Sequence, residues 1–355
     1  MYTRNETRRI MVRSVPIGGG SPITVQSMTS TDTRDVAKTV SQIQALTKAG
    51  CEMVRLAIPN HKAAEALFEI RKEVDVPLIA DIHFDHRLAL IALEAGIDKL
   101  RINPGNIGSP TKVREIAQAA MAKGIPIRVG VNSGSLKKEI LDRFGSPSPE
   151  ALVESAVEEV DLLDDLGFHD ICVSIKSSSV MNTIHAYTLF AEKRNTPLHI
   201  GITEAGTLRY GTIKSACGIG GILSYGIGDT IRVSLTADSV EEVYTGISIL
   251  KAMGIRRIGP EIVSCPSCGR TEIDIVQLAE EVERRAAKIT APVIIAVMGC
   301  VVNGPGEARE SDYGIAGGNG FGLLFRKGEV VRKVAEENLI DELFGLIEKD
   351  MKEGK

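Results

Sequence analysis

The stretch Ile127-Arg-Val-Gly-Val-Asn132 decides the fold. Apolar and polar residues alternate along it with the two-residue period of a β-strand. Ile127, Val129 and Val131 suit a face packed under helices. Arg128, Gly130 and Asn132 occupy the other face. The pattern recurs elsewhere. In LRIN, Arg101 and Asn103 oppose Leu100 and Ile102. In VSIK, Ser174 and Lys176 oppose Val173 and Ile175. In IRVSLT, Arg232, Ser234 and Thr236 oppose Ile231, Val233 and Leu235. Arg55, in VRLAI, completes a set of five cations of one parity.

Such segments alternate with amphipathic helical stretches, as βα units of a parallel sheet do. The pattern predicts strands over 23–28, 53–58, 77–83, 99–103, 126–131, 170–176, 198–203 and 229–236, and helices such as 35–49 and 110–123. Eight units point to a (β/α)8 TIM barrel. An open doubly wound sheet is the competitor, weakened by the absence of a GxGxxG after an early strand. The longest connection, after the fifth strand, is expected to carry an extra loop. Composition changes near Gly254. The reading is a barrel over residues 1–254 and a small α/β domain over 255–355, with a helix at 274–288, a strand at 292–298, a Gly-rich region and a terminal helix from about Val331.

In a barrel the cation-bearing face points inward, where branched apolar residues normally fill the space. Isolated buried cations cost several kcal/mol each unless paired. Asp81 and Glu204 can pair with some of Arg55, Arg101, Arg128, Lys176 and Arg232, but not with all five. A polyanion such as a diphosphate balances them, and arginine offers bidentate recognition of phosphate oxygens. Asn132, Ser133 and Ser135 can add hydrogen bonds. The competing reading is internal pairing or cations reaching to the rim. His83 reads as an acid, a phosphate ligand or a satisfied core imidazole.

The second chemical cluster is Cys265-Pro-Ser-Cys268 with the distant Cys300. A C-x2-C pair lets two thiolates grip one metal or cluster, and a third ligand closes the site. A structural zinc knuckle is one reading. A cubane iron–sulfur cluster with a non-cysteine fourth ligand is the other, favoured because no histidine follows residue 199. Glu307 is the nearest carboxylate after Cys300, either a solvated loop residue or that ligand. Cys51 and Cys172 read as core thiols, and Cys217 as a packed helix residue ahead of a spare ligand.

Composition sets bounds. The chain has 355 residues, 43% hydrophobic and 25% charged, with a net charge of −4, no Trp, six Tyr and eight Phe. That argues against a nucleic-acid or acidic-membrane partner. The N-terminal stretch MYTRNETRRIMVRS lacks the apolar segment of a secretory leader, and the longest apolar run, 291–300, is too short to span a bilayer. The expectation is a cytoplasmic protein.

The segments VQSMTSTDT, ADIHFD, LRINPGNIG, IRVGVNSGSL, ITEAGT, GTIKSACGIGG, GIGDTIRVSLT, SCPSCGRTEID and AVMGCVVNGPGEARESDYGIAGG, spread from about residue 25 to 318, closely resemble bacterial 4-hydroxy-3-methylbut-2-enyl diphosphate synthases. The resemblance implies a [4Fe–4S] cluster held by Cys265, Cys268, Cys300 and Glu307, with Glu307 exchangeable. It implies reductive ring opening and dehydration of 2-C-methyl-D-erythritol 2,4-cyclodiphosphate to 4-hydroxy-3-methylbut-2-enyl diphosphate. Arg55, His83, Arg101, Arg128, Asn132, Lys176 and Arg232 then hold the diphosphate, and Glu204 lies near the reacting carbons. No flavin or nicotinamide motif is evident, so a ferredoxin or flavodoxin is the expected electron donor. A two-fold homodimer with sites shared between subunits is implied too, and suits a predicted last barrel helix that runs away from the mouth. Ser177-Ser-Ser179 departs from the family's Ala-Ser-Asp. The alternatives are a non-redox sugar-phosphate lyase or epimerase with structural zinc, and a non-catalytic binding module.

Overall fold

The computed structural model describes residues 6–301, 306 and 308–354. The chain separates into two compact units, Met1–Met253 and Gly254–Lys355.

The first unit opens with a two-stranded hairpin, β1 (Ile10–Val12) and β2 (Val15–Ile17). Eight strands follow: β3 (Thr24–Met28), β4 (Met53–Ala57), β5 (Leu78–Asp81), β6 (Lys99–Ile102), β7 (Ile127–Asn132), β8 (Ile171–Lys176), β9 (His199–Ile200) and β10 (Thr230–Ile231). All run parallel, in the order β8-β7-β6-β5-β4-β3-β10-β9. The remaining seam closes through a parallel bridge between Val173 and Leu198, with the Val173 N–H donating to Pro197 O at 2.8 Å. The sheet is therefore a barrel rather than an open doubly wound sheet. Asparagine, aspartate or serine side chains cap several helices by accepting from the first turn, as Asn60 does from Ala63 and Asp238 from Val240.

The hairpin plugs the N-terminal end. Ile10, Val12 and Ile17 pack with Met53, Ile79 and Cys172 in a buried cluster, so apolar burial seals the floor and leaves the C-terminal end as the mouth. The connection after β7 is not a plain loop. It holds a short 3-10 turn, Ser133–Ser135, and a helix, Lys138–Phe144, because Leu141 and Ile140 give it an apolar side.

The second unit is a five-stranded sheet in the order β11 (Glu261–Ser264), β12 (Ile294–Met298), β13 (Tyr313–Gly318), β14 (Phe321–Arg326) and β15 (Glu329–Ala335). The first three are parallel and the last two form antiparallel hairpins. Helices Ile275–Ala286 and Leu339–Glu353 cover one face, burying Val282, Ile295, Val297, Ile315, Leu324, Leu343 and Ile347. The terminal helix thus begins at Leu339. Val331 belongs to an exposed edge strand.

Candidate functional site

At the mouth of the barrel lies a cavity of about 190 Å³. Arg55, Arg101, Arg128, Lys176 and Arg232 all line it, with Asp81, His83, Asn132, Ser174, Thr203 and Ser234. Parallel registers bring the cations together: Arg101 pairs laterally with both Asp81 and Arg128, and Asn132 with Lys176. Arg128, Arg101 and Lys176 are 2%, 6% and 7% exposed, so their charges sit in the protein rather than on its surface.

Asp81 is the carboxylate among the lining residues. Its oxygens lie 3.0 Å from Arg101, 3.7 Å from Arg55 and 3.4 Å from the His83 ring. Burial alone would raise its pKa, but Arg55, the His83 hydrogen bond and Arg101 overcome this and hold the carboxyl far below its usual range. Sequence reasoning overlooked a second counter-charge, Glu242. It sits 4% exposed on helix Ser239–Ala252, accepts from Arg232 at 3.1 Å, from Ser27 Oγ at 2.9 Å and from the Leu235 N–H at 3.0 Å. A polar residue on the apolar side of an otherwise amphipathic helix was the available signal. Five basic side chains thus line the cavity with Asp81, and Glu242 adds a second carboxylate beside Arg232. Nε and Nη1 of Arg128 have no hydrogen-bond partner among the described residues. Burial, then Arg101, lowers Arg128 to about 10, so it remains charged at neutral pH. Internal pairing thus accounts for Arg55, Arg101 and Arg232, but not for Arg128 among the described residues.

His83 is not a core imidazole. Its side chain is 52% exposed at the rim, with both ring nitrogens 3.4 Å from Arg101 Nη1. Glu204 is exposed, stands outside the cavity lining, and adopts a left-handed backbone at φ 52°. Such strain in a non-glycine residue concentrates at functional positions. Ser179 caps helix Val180–Lys193, its Oγ accepting from the Asn182 N–H at 3.3 Å. Serine and aspartate are both favoured in that capping role.

In the second unit, Cys265 directly follows β11 and Cys300 lies two residues beyond β12. The two strands are parallel neighbours, so both cysteines emerge at the same C-terminal edge. The Gly299 N–H donates to Cys265 Sγ at 3.2 Å. The turn carrying Cys268 is tied to the same corner: the Cys268 N–H donates to Thr271 Oγ1 at 3.1 Å, and the Glu272 N–H to Gly299 O at 3.1 Å. Hydrogen bonds from the Arg270 backbone and side chain lower the Cys268 thiol pKa. Among the described residues no three of His, Cys, Asp and Glu converge to hold a single metal ion. Glu307 lies outside the described residues. Cys51 and Cys172 are buried core thiols, whereas Cys217 is exposed on helix Leu208–Ser224 instead of packed.

Residues 7–247 match the family description "GcpE TIM-barrel domain", and residues 261–349 match "GcpE protein C-terminal domain". The chain is 57% identical over 350 residues to a 4-hydroxy-3-methylbut-2-en-1-yl diphosphate synthase (flavodoxin) of Caldanaerobacter subterraneus subsp. tengcongensis, covering 99% of each. It is 58% identical over 340 residues to the protein of the same name from Clostridium acetobutylicum, covering 96% of this chain and 97% of that one. Among solved structures, a dihydropteroate synthase from Stenotrophomonas maltophilia aligns with 70% of this chain and 97% of its own at TM-score 0.50 and 12% identity, a likeness of fold alone. With both domains matched in order and relatives aligned from end to end, this chain belongs to the GcpE family.

Proposed function

We propose that this chain carries out the reaction named by its relatives: it forms 4-hydroxy-3-methylbut-2-enyl diphosphate from 2-C-methyl-D-erythritol 2,4-cyclodiphosphate by reductive ring opening and dehydration. The observation that carries the reading is the barrel cavity, whose five basic side chains suit a diphosphate. Arg55, Arg101, Arg128, Lys176, Arg232, His83 and Asn132 bind and orient it, leaving the carbon end directed out of the mouth. Glu204, strained and exposed after β9, serves near the reacting carbons.

The cysteine corner fits an iron–sulfur cluster. Its donors are soft thiolates, one of which already accepts a backbone N–H, as cluster-bound sulfur does. Cys265, Cys268 and Cys300 would hold a [4Fe–4S] cluster, with Glu307 as the fourth, exchangeable ligand. When bound, the cluster would relay the two electrons of the reaction one at a time from an external donor and offer a Lewis-acidic iron. A flavodoxin is the donor in this reading, following the relatives' name, with ferredoxin as the substitute.

Assembly as a homodimer is part of the proposal. The barrel's last helix, Ser239–Ala252, runs back from the mouth, so the chain leaves the barrel at the closed end. Phe84, Met181 and Tyr210, in segments after β5, β8 and β9, are 71%, 71% and 65% exposed, an apolar rim suited to being covered. A head-to-tail pair would let each subunit's cysteine corner cap its partner's barrel. No described helix is long and apolar enough to cross a membrane, and a cytoplasmic location accords with this reading.

The test is an anaerobic assay of cluster-loaded protein with the cyclodiphosphate and a strong reductant. Formation of the allylic diphosphate supports the reading. Tight binding of one zinc per chain, without iron or turnover, would replace it with the non-redox alternative.

A further inference from the structure

Lys99 stands two residues before Arg101 on β6, so its side chain enters the barrel on the same face, about 7 Å back along the strand on the floor side. It is fully buried, and its Nζ has no hydrogen-bond partner among the described residues. The groups acting most strongly on it are Cys172, Arg128 and Arg55. Lys176, higher on β8, faces Arg128, Arg232, Arg55 and Arg101. His199 is buried, both its ring nitrogens lack a partner among the described residues, and the charges of both lysines act on it. No carboxylate is among these strongest neighbours.

Guanidinium groups keep their protons under such crowding, whereas a buried ammonium can release its own. Burial, then repulsion from the arginines, lowers Lys176 well below the ordinary lysine range, and Lys99 falls to about 8. An anion entering the cavity cancels the repulsion and favours the charged forms.

We propose that binding of a diphosphate in this cavity takes protons from solvent onto Lys176 and onto Lys99 in the layer beneath it. The inference rests on the anion-site reading and makes Lys99 a part of that site. Each uptake is protonation of a neutral amine by buffer acid, with no bond made or broken in the ligand. By linkage, affinity for the anion falls as pH rises through the range in which the filled site would lose these protons. His199, pushed far below the usual imidazole range first by burial and then by Arg128, stays neutral in the empty site.

The experiment is titration calorimetry of cluster-loaded, unreduced protein with the cyclodiphosphate near pH 8, in Tris and in Hepes. Each phosphorus of that ligand bears one strongly acidic hydroxyl, ionised throughout the neutral range, so any protons exchanged belong to the protein. The buffers differ in ionisation enthalpy, and the difference in measured heat should correspond to net uptake of roughly one proton per site. Lys99→Met should still bind and show smaller uptake. Saturable binding with the same buffer-corrected heat and no proton uptake overturns the inference while sparing the anion site. Undiminished uptake in Lys99→Met removes Lys99 from it. Absence of saturable binding removes the anion site and the inference together. The two-buffer comparison on the unaltered chain decides the main point even if Lys99→Met does not fold.

Discussion

Gly130 leaves the space that the Arg101 guanidinium fills: a Cβ on Gly130 would stand 2.8 Å from Arg101 Nε and 3.0 Å from Nη2. The two face each other inside the barrel on neighbouring strands, and Arg101 continues from there to Asp81. Gly130→Ala should therefore push the guanidinium off its carboxylate and out of line with the anion. A charge-assisted hydrogen bond contributes about 1.5–3 kcal/mol, so the KM for the cyclodiphosphate should rise by roughly 10- to 150-fold. Iron content should not change. Steady-state kinetics beside an iron assay checks this, and an unaltered KM would show that Arg101 does not need its present position.

How far the residues announced this arrangement follows from where their constraints lie. The inward parity of Arg55, Arg101, Arg128, Lys176 and Arg232 was legible because a packed outer face forces strict alternation. Cys265 and Cys300 stood out as candidate ligands by their spacing, but their shared edge depends on β11, which hides in a Pro/Cys/Gly-rich stretch. Strand β13 was hidden for a physical reason too: a Cβ on Gly317 would stand 2.2 Å from Ile273 Cδ1, so close packing there selects glycine over a strand-forming residue. Strand β15 is exposed along nearly its whole length and shows no alternation. Glu242 showed locally only as a polar residue on an apolar helix face, and Lys99 only as sharing the parity of Arg101, because the groups that act on both lie on distant segments.

Asp81 should govern the acid limb of barrel stability. Its carboxyl is held below the unfolded value of about 3.9. A depressed folded pKa contributes stability that is complete above the unfolded value and is lost as pH falls through the folded one. Thermal unfolding should thus show a loss from about pH 4 downward that Asp81→Asn largely lacks. At neutral pH the same substitution leaves Arg55 and Arg101 without their counter-charge and should cost about 3–5 kcal/mol. Added inorganic pyrophosphate should restore part of that loss. A neutral-pH melting temperature equal to that of the unaltered protein would refute the counter-charge role.

Arg128→Ala and Lys176→Met should weaken substrate binding, by at least about tenfold, without stripping iron, since both side chains line the barrel cavity. Glu307→Ala should do the reverse, leaving the barrel folded but the cluster labile and turnover low. Iron and sulfide analysis beside calorimetric binding separates the two classes. Full activity and unchanged cluster spectra in Glu307→Ala would remove that residue from the ligand set.

Sharing of sites between subunits gives the most discriminating prediction. Barrel chemistry belongs at the C-terminal ends of the strands, where the cations lie, while helix Ser239–Ala252 returns the chain to the closed end. If each cysteine corner serves the partner's barrel, Cys300→Ser and Arg128→Ala chains should complement one another. In a mixed dimer the Cys300→Ser chain supplies an intact barrel and the Arg128→Ala chain an intact cysteine corner, and these two meet in one complete site. The other site carries both defects. Random exchange of equal amounts makes half the dimers mixed, each with one working site, so activity should recover to about a quarter of that of the unaltered protein. Each variant alone should stay nearly inactive. Recovery is read by mixing the two under anaerobic conditions that permit subunit exchange, with exchange verified by differently tagged chains. Failure to recover activity despite proven exchange and an intact cluster in the Arg128→Ala chain would mean that each site is completed within one chain.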